Sequence, residues 1–231
     1  MSESLKVDIW SDIACPWCYI GKRKFEAGSG LFLGAGDGRS VEVEYHSYEL
    51  NPETPVDFEG SESEYLALHK GIDAEQANQM LDRVTTIAAQ AGLDYDFPAV
   101  KHTNTVLGHR LLHYAKAHGK QVEMKERLLK AHFVEGGHVG HVADLADYAA
   151  EVGLDRDEVV RALSADDYLD EVRQDEALAR EYGINGVPFF VIDGKYGVSG
   201  AQESATFAQV LEQVWGERSV EPSEEQAEVG A

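Results

Sequence analysis

Apolar and polar positions alternate with period two over residues 5–10 and again over 41–48. That spacing belongs to half-buried strands. Between them, residues 16–27 read as a helix, with Trp17, Tyr19, Ile20 and Phe25 as its apolar positions and Lys22, Arg23 and Lys24 towards its end. The stretch 28–39 is rich in glycine and reads as a loop. A strand, a helix and a second strand fit a crossover unit with parallel pairing. Asn51-Pro52 and Thr54-Pro55 close the second strand. Roughly 120 residues follow without a convincing strand, too many for a loop in a compact domain. They carry helical spacing instead. Met80, Leu81, Val84, Ile87 and Ala88 form one stripe, and Leu107, Leu111, Tyr114, Ala115 and His118 another, the second capped by Thr103 or Asn104. Further helices are expected over 122–133, 142–152, 155–163 and 167–182, most closed by a glycine. Strand signals return at 186–192. Asp193-Gly194 is a hairpin turn, and 195–199 is the partner strand. Ser204 caps a last helix through Leu211 and Trp215, and 217–231 is an acidic segment expected to be disordered.

The order is therefore β-α-β, a helical block, then β-β-α. Strand-bearing ends that form one sheet around an inserted helical block make an α/β protein, a thioredoxin fold with a large all-helical insertion. The expected division is 1–60 with 184–216 as one discontinuous domain, 61–183 as the inserted helical domain, and 217–231 as a tail.

Both cysteines of the chain, Cys15 and Cys18, lie between the first strand and the first helix. A lone CxxC in that place reads as a thiol–disulfide site. Pro16 suits the first helical position, which puts Cys15 at the cap, where free N–H groups and the helix dipole favour a thiolate. The thiolate is the nucleophile. Cys18 follows one turn on, with Cα atoms roughly 5 Å apart, within disulfide range. Cys15 is expected to be the exposed attacker and Cys18 the more buried resolver that closes on a mixed disulfide. Half of a zinc site is the rival reading, but structural zinc takes four ligands and no second CxxC exists. A static structural disulfide suits secreted chains better.

Composition narrows the partners. The 231 residues carry 42 acidic against 20 basic side chains, a formal net charge of −22. Nucleic acid and anionic membranes need a basic footprint, so neither is expected as a partner. No stretch reaches transmembrane length. The first residues lack the basic and apolar regions of a signal peptide, so a cytoplasmic location is expected.

Cys15-Pro16-Trp17-Cys18-Tyr19-Ile20-Gly21-Lys22 resembles the active site of the DsbA-like superfamily, in its FrnE-type branch. Asn104-Thr105-Val106-Leu107-Gly108-His109-Arg110-Leu111 and Phe133-Val134-Glu135-Gly136 resemble its helical-domain motifs, with Gly108 where alanine is usual. The segment from Gly186 to Gly194, followed by Ser199-Gly200-Ala201-Gln202, resembles its C-terminal part. The likeness spans about residues 5–216. It implies a cytoplasmic dithiol–disulfide oxidoreductase or isomerase and a cis Val187–Pro188 bond facing the CxxC. Val187 and Pro188, with Pro16 and Trp17, would then contact the substrate. No consumed cofactor and no metal are expected, because the redox equivalents lie in the cysteines. Glutathione is a candidate co-substrate, and thiol- or disulfide-containing proteins are the other expected partners. Monomer and homodimer both stay open.

The same superfamily includes kappa-type glutathione transferases and 2-hydroxychromene-2-carboxylate isomerases, which usually carry a single serine where Cys15 stands. A glutathione-dependent transferase or isomerase is thus the alternative function, and a chaperone-like binding module a third. Asp12 could relay a proton to Cys18 or cap the helix. His46 reads as a packing residue. His109 and His113, four apart, and His138 with His141 could pair on a metal, but solvated or inter-domain roles fit them better.

Overall fold

The computed structural model describes residues 4–34 and 38–218. Strands β1 (Ser4–Ser11), β2 (Ser40–Ser47), β3 (Phe189–Ile192) and β4 (Tyr196–Ser199) form one sheet in the order β2-β1-β3-β4. β1 pairs parallel with β2 and antiparallel with β3, and β3 pairs antiparallel with β4. This is the α/β thioredoxin-type arrangement with a helical insertion. The period-two pattern of β1 sorts its side chains between two faces. Leu5, Val7 and Ile9 enter a core with Phe25, Phe32, Phe207 and Leu211. Lys6, Asp8 and Trp10 lie on the other face.

The first core is closed by α1 (Pro16–Leu33) and α9 (Ser204–Arg218), which pack on each other. The stretch 28–39 was expected to be a loop, yet α1 runs through it to Leu33. Gly28 is there for close approach rather than for a turn. A Cβ at Gly28 would sit 2.5 Å from the Ser204 carbonyl oxygen and 2.7 Å from Phe207 Cβ. At the other end of the chain, α9 takes in Glu217 and Arg218 from the expected tail, and 219–231 lies outside the described residues.

The insertion comprises α2 (Glu62–Lys70), α3 (Ala74–Gln90), a short 3-10 turn (Phe97–Ala99), α4 (Val106–Ala117), α5 (Gln121–Phe133), α6 (Val142–Glu151), α7 (Arg156–Ser164) and α8 (Leu169–Glu181). Asp73 and Asp155 cap α3 and α7, and Asn104 accepts from the Val106 N–H at 2.9 Å. Its main core joins α4 to α7 through Leu111, Met124, Leu128, Leu145 and Val159.

Two features lock the block to the sheet. Gln121 pairs its side-chain amide with both backbone groups of Tyr45, at 2.9 and 2.8 Å. That contact covers the free edge of β2, which would otherwise expose unpaired backbone groups. Tyr19 and Ile20 of α1 pack not into the sheet core but against Leu81, Tyr95, Leu129 and Phe133. The helix carrying the CxxC therefore sits at the seam of two cores. Among the described residues no helix is long and apolar enough to cross a membrane.

Candidate active site

β1 ends at Ser11, and Asp12-Ile13-Ala14 turns the chain into α1. Cys15 is the N-cap, in extended conformation (φ −92°, ψ 112°), and Pro16 opens the helix. The Cys18 N–H donates to the Cys15 carbonyl at 3.0 Å. Both cysteines are free thiols.

The Cys15 thiol donates to the Val187 carbonyl at 3.5 Å, and Val187–Pro188 is cis. Gly21 explains how Pro188 comes so near. A Cβ at Gly21 would stand 2.9 Å from Pro188 Cγ, so only glycine lets α1 press on this loop without displacement. The Gly200 N–H donates to the Pro188 carbonyl at 2.8 Å and holds the loop from behind.

Cys15 is only 4 % exposed and Cys18 3 %, so the expected contrast between an exposed and a buried thiol is not found. Access differs all the same. Cys15 lines a cavity of about 340 Å³, together with Trp17, Tyr65, Leu66, Met80 and Val84, whereas Cys18 is behind it. Pro16 and Val187 also reach this cavity. Trp17, 39 % exposed, stands at its rim.

The electrostatics also depart from expectation. The two thiols titrate together. The Cys15 thiol is pushed up by its hydrogen bond with Cys18, by burial, and by the charges of Cys18 and Asp12. At Cys18 burial works upward but is overcome by the hydrogen bond from Cys15 and the charge of Lys125, which hold the thiol below its ordinary value. The helix cap alone pointed to a Cys15 thiolate; the neighbours shift the anion towards Cys18.

Asp12 is the fixed charge of the site. Its carboxylate accepts from the Leu50 N–H at 2.8 Å, Thr105 Oγ1 at 2.8 Å, His109 Nε2 at 3.2 Å and the Ala14 N–H at 3.3 Å. Burial opposes ionisation, but the His109 bond and charge, with the Leu50 and Thr105 bonds, bring its pKa down to about 2. Asp12 neither caps α1 nor offers a proton-carrying group to Cys18. It is an anchor between the active-site turn and α4.

The histidines disperse. His109 binds Asp12, while His113 bonds Ser47 Oγ and Asp175, both at 3.1 Å, so the two do not converge. His138 and His141 stack at 3.7 Å and both face Asp57. His138 Nδ1 accepts from the Gly140 N–H at 3.1 Å. In its neutral ring the proton is therefore on Nε2, the nitrogen turned towards Asp57.

Three features were not expected from sequence. The Glu62–His102 pair, 2.8 Å apart, lies in the cavity wall, and Lys70 is also on the lining. Lys125 of α5 is wholly buried. One signal for it was readable: Lys125 stands three and four positions before Leu128 and Leu129, on the apolar stripe of its helix.

Comparisons with known proteins agree with this geometry. A family model described as DSBA-like thioredoxin domain matches residues 6–212. The uncharacterized protein YwbO of Bacillus subtilis is 30% identical over 212 residues, 90% of this chain and 96% of that one. The crystal structure of a probable DsbA oxidoreductase from Streptomyces coelicolor is 41% identical, with a TM-score of 0.85 over 93% of this chain and 91% of that chain. The cytosolic disulfide reductase DsbM from Pseudomonas aeruginosa shares the fold, at 19% identity and a TM-score of 0.63 over 91% of this chain and 98% of that chain. With a CxxC at the head of α1, a cis-proline loop against it and a family model matching nearly end to end, this chain belongs to the DSBA-like thioredoxin domain family.

Proposed function

We propose that the protein is a dithiol–disulfide oxidoreductase or isomerase working in the cytoplasm, with Cys15 as the sulfur that meets the substrate and Cys18 as its resolving partner. The observation that carries this reading is the position of Cys15. It opens on the cavity, it lies 3.5 Å from the Val187 carbonyl, and Cys18 stands one turn behind it on the same helix.

In the oxidising direction a substrate thiolate attacks the Cys15 sulfur of the disulfide. The Cys15–Cys18 bond breaks, and Cys18 departs as a thiolate. A leaving thiol of lowered pKa departs faster, and Cys18 is the one so lowered. A second substrate thiolate then attacks the mixed disulfide, forming the substrate disulfide and leaving the enzyme dithiol. In the reducing direction Cys15 passes its proton to the Cys18 thiolate and attacks a substrate disulfide, whose S–S bond breaks and whose first sulfur leaves as thiolate; Cys18 then gives up its proton to that thiolate or to solvent and closes on Cys15, releasing the second substrate sulfur as thiolate. Two electrons pass between the cysteine pairs, and no cofactor is consumed.

Val187 and Pro188 align an extended substrate segment beside Cys15, and Pro16 and Trp17 bound it on the other side. Protein thiols and disulfides are the substrates, with glutathione as a co-substrate of the same exchange. The alternative, a glutathione-dependent transferase or isomerase, has no need of Cys18. Insulin reduction by dithiothreitol separates the two. Cys15→Ser should bring turnover to the uncatalysed level, and Cys18→Ser should prevent release. Catalysis that persists without either cysteine would remove the proposal.

A further inference from the structure

Glu62 opens α2, and His102 lies in the segment before α4; both are more than nine-tenths buried. Glu62 Oε2 accepts from His102 Nδ1 at 2.8 Å. A carboxylate has no proton to give, so Nδ1 carries the hydrogen and the neutral ring keeps its lone pair on Nε2. That nitrogen has no partner among the described residues. The buried polar atoms left without a partner include both nitrogens of His132 but not this one, so His102 Nε2 is open to solvent. The space it opens on is the cavity beside Cys15, whose wall contains both Glu62 and His102.

The ring is held in place from several directions. It stacks on Tyr65 and meets Phe58 edge-on. Tyr65 is itself fixed through its hydroxyl, which bonds Asn51 Nδ2 at 3.0 Å and Thr54 Oγ1 at 3.1 Å. Next along the chain, Thr103 Oγ1 donates to the Val56 carbonyl at 2.6 Å. Three residues on, Thr105 Oγ1 donates to Asp12 at 2.8 Å, which ties the segment carrying His102 to the turn that leads into Cys15. Polar groups in a mostly apolar wall are costly to bury. This pair has the arrangement in which a carboxylate fixes the tautomer of a histidine and leaves its other nitrogen free to take a proton.

Thiol exchange needs such a group, because a substrate thiol must lose its proton before its sulfur can attack. With Cys15 and Cys18 joined as the disulfide, the carboxylates and imidazole on the cavity wall are Asp12, Glu62 and His102. Asp12 is committed to Leu50, Thr105, His109 and Ala14, and its pKa of about 2 makes it a poor base. Glu62 acts through His102, and the Lys70 ammonium has no lone pair to offer. His132 of α5 is buried outside the cavity wall, and burial lowers its pKa to about 4, so it adds no charge beside His102. The geometry points to His102 as a catalytic base for substrate entry: Nε2 takes the proton of a thiol held in the cavity, and Glu62 holds the imidazolium that forms. The inference rests on the reading of Cys15 given above, and the substrates it serves are alkyl thiols that arrive protonated. Once the proton is on Nε2, the substrate thiolate attacks Cys15 Sγ, the Cys15–Cys18 bond breaks, and Cys18 leaves with the electron pair as thiolate. The imidazolium proton then passes to solvent through the cavity. In the reducing direction the step reverses, and the second substrate sulfur, leaving Cys15 as thiolate, takes its proton from His102.

The test compares two thiols of similar size as they open the disulfide form of the full-length protein at neutral pH. Thiophenol is largely ionised there, and benzyl mercaptan is largely protonated. The mixed disulfide is counted by intact mass after acid quenching, and each rate is divided by that of the same thiol on oxidised 2-mercaptoethanol. In His102→Phe, which keeps a ring against Tyr65, the benzyl mercaptan rate should fall about a hundredfold, the low end of what a positioned base contributes. The thiophenol rate should hold. Glu62→Gln should show the same selective loss, and imidazole added to His102→Ala should restore part of the benzyl mercaptan rate. Equal losses with both thiols would mark a structural role and overturn the inference, as would an undiminished benzyl mercaptan rate in folded His102→Phe. Should the variants not fold, the wild type decides: its normalised rate should be about tenfold or more higher for benzyl mercaptan than for thiophenol, and equal normalised rates would overturn the inference. If neither thiol attached to Cys15, the thiol–disulfide reading itself would fall, and the inference with it.

Discussion

His46 is held between two carboxylates, with Nε2 at 2.8 Å from Asp8 and Nδ1 at 2.7 Å from Asp175, and its ring stacks on Trp10 at 4.4 Å. Both ring nitrogens donate, so the ring is an imidazolium. Burial works to lower its pKa, but the bonds and charges of Asp175 and Asp8 raise it from 6.5 to about 9. A packing role, the reading from sequence, is thus only part of what this residue does: it clamps β1 and β2 to α8. Because the folded pKa lies above the unfolded one, this contribution is whole below pH 6.5 and lost as pH rises through about 9. At about 1.4 kcal/mol per unit, the rise corresponds to roughly 3 kcal/mol at most. The urea midpoint should therefore fall between pH 6.5 and 9, and in His46→Gln it should be lower at pH 6.5 and nearly flat across that window. A wild-type midpoint that holds steady to pH 9 would contradict the clamp.

α1 shows where an element can and cannot be read from its own residues. Gly28, Gly30 and Gly34 make its second half look like a loop, and the reason they do not break it lies 180 residues away in α9, against which Gly28 packs. The two helical glycines should respond oppositely to a methyl group. Gly30 meets nothing within 4 Å, so Gly30→Ala should stabilise by about 0.5–1 kcal/mol through helix propensity. Gly28→Ala drives its Cβ into backbone, at 2.5 Å from an oxygen, and should cost about 1–3 kcal/mol. Thermal unfolding of the two variants checks both signs at once. Elsewhere the local signals sufficed. The alternation in β1 and β2, the Asp193-Gly194 turn and the Asp155 cap are all local, and so is the capping box of Ser61 and Glu64 at the head of α2, which was legible but unread. The CxxC and its cap position were legible for the same reason, whereas the cis-proline loop facing them followed only from the family resemblance. What was not legible is the environment of the sulfurs. Thr105, His109 and Lys125 lie about a hundred positions from Cys15, and no local pattern records which buried charges a distant helix will bring there.

At the scale of the whole molecule the chain closes two cores on a single helix. Phe25 and Phe32 of α1 belong to the sheet core, and Tyr19 and Ile20 to the helical block. Tyr19 and Arg23 of α1 also bond Glu126 of α5 across the same seam. The cavity beside Cys15 is shared in the same way. Val187 comes from the loop before β3, whereas Tyr65, Met80 and Val84 come from α2 and α3 of the insertion. The insertion thus supplies about half of the apolar residues lining this cavity, and the thioredoxin-type part supplies the rest together with the sulfurs. A net charge of −22 surrounds this site with a negative field that works against polyanions. The proposed function makes Cys15 the point of substrate attachment, and trapping tests that most directly. Full-length Cys18→Ala and Cys15→Ala are each exposed to insulin as a disulfide substrate, and the products are mapped by intact and peptide mass spectrometry. The account predicts a stable mixed disulfide on Cys15 in Cys18→Ala and none on Cys18 in Cys15→Ala. No adduct on Cys15, or equal adducts on both sulfurs, would contradict it.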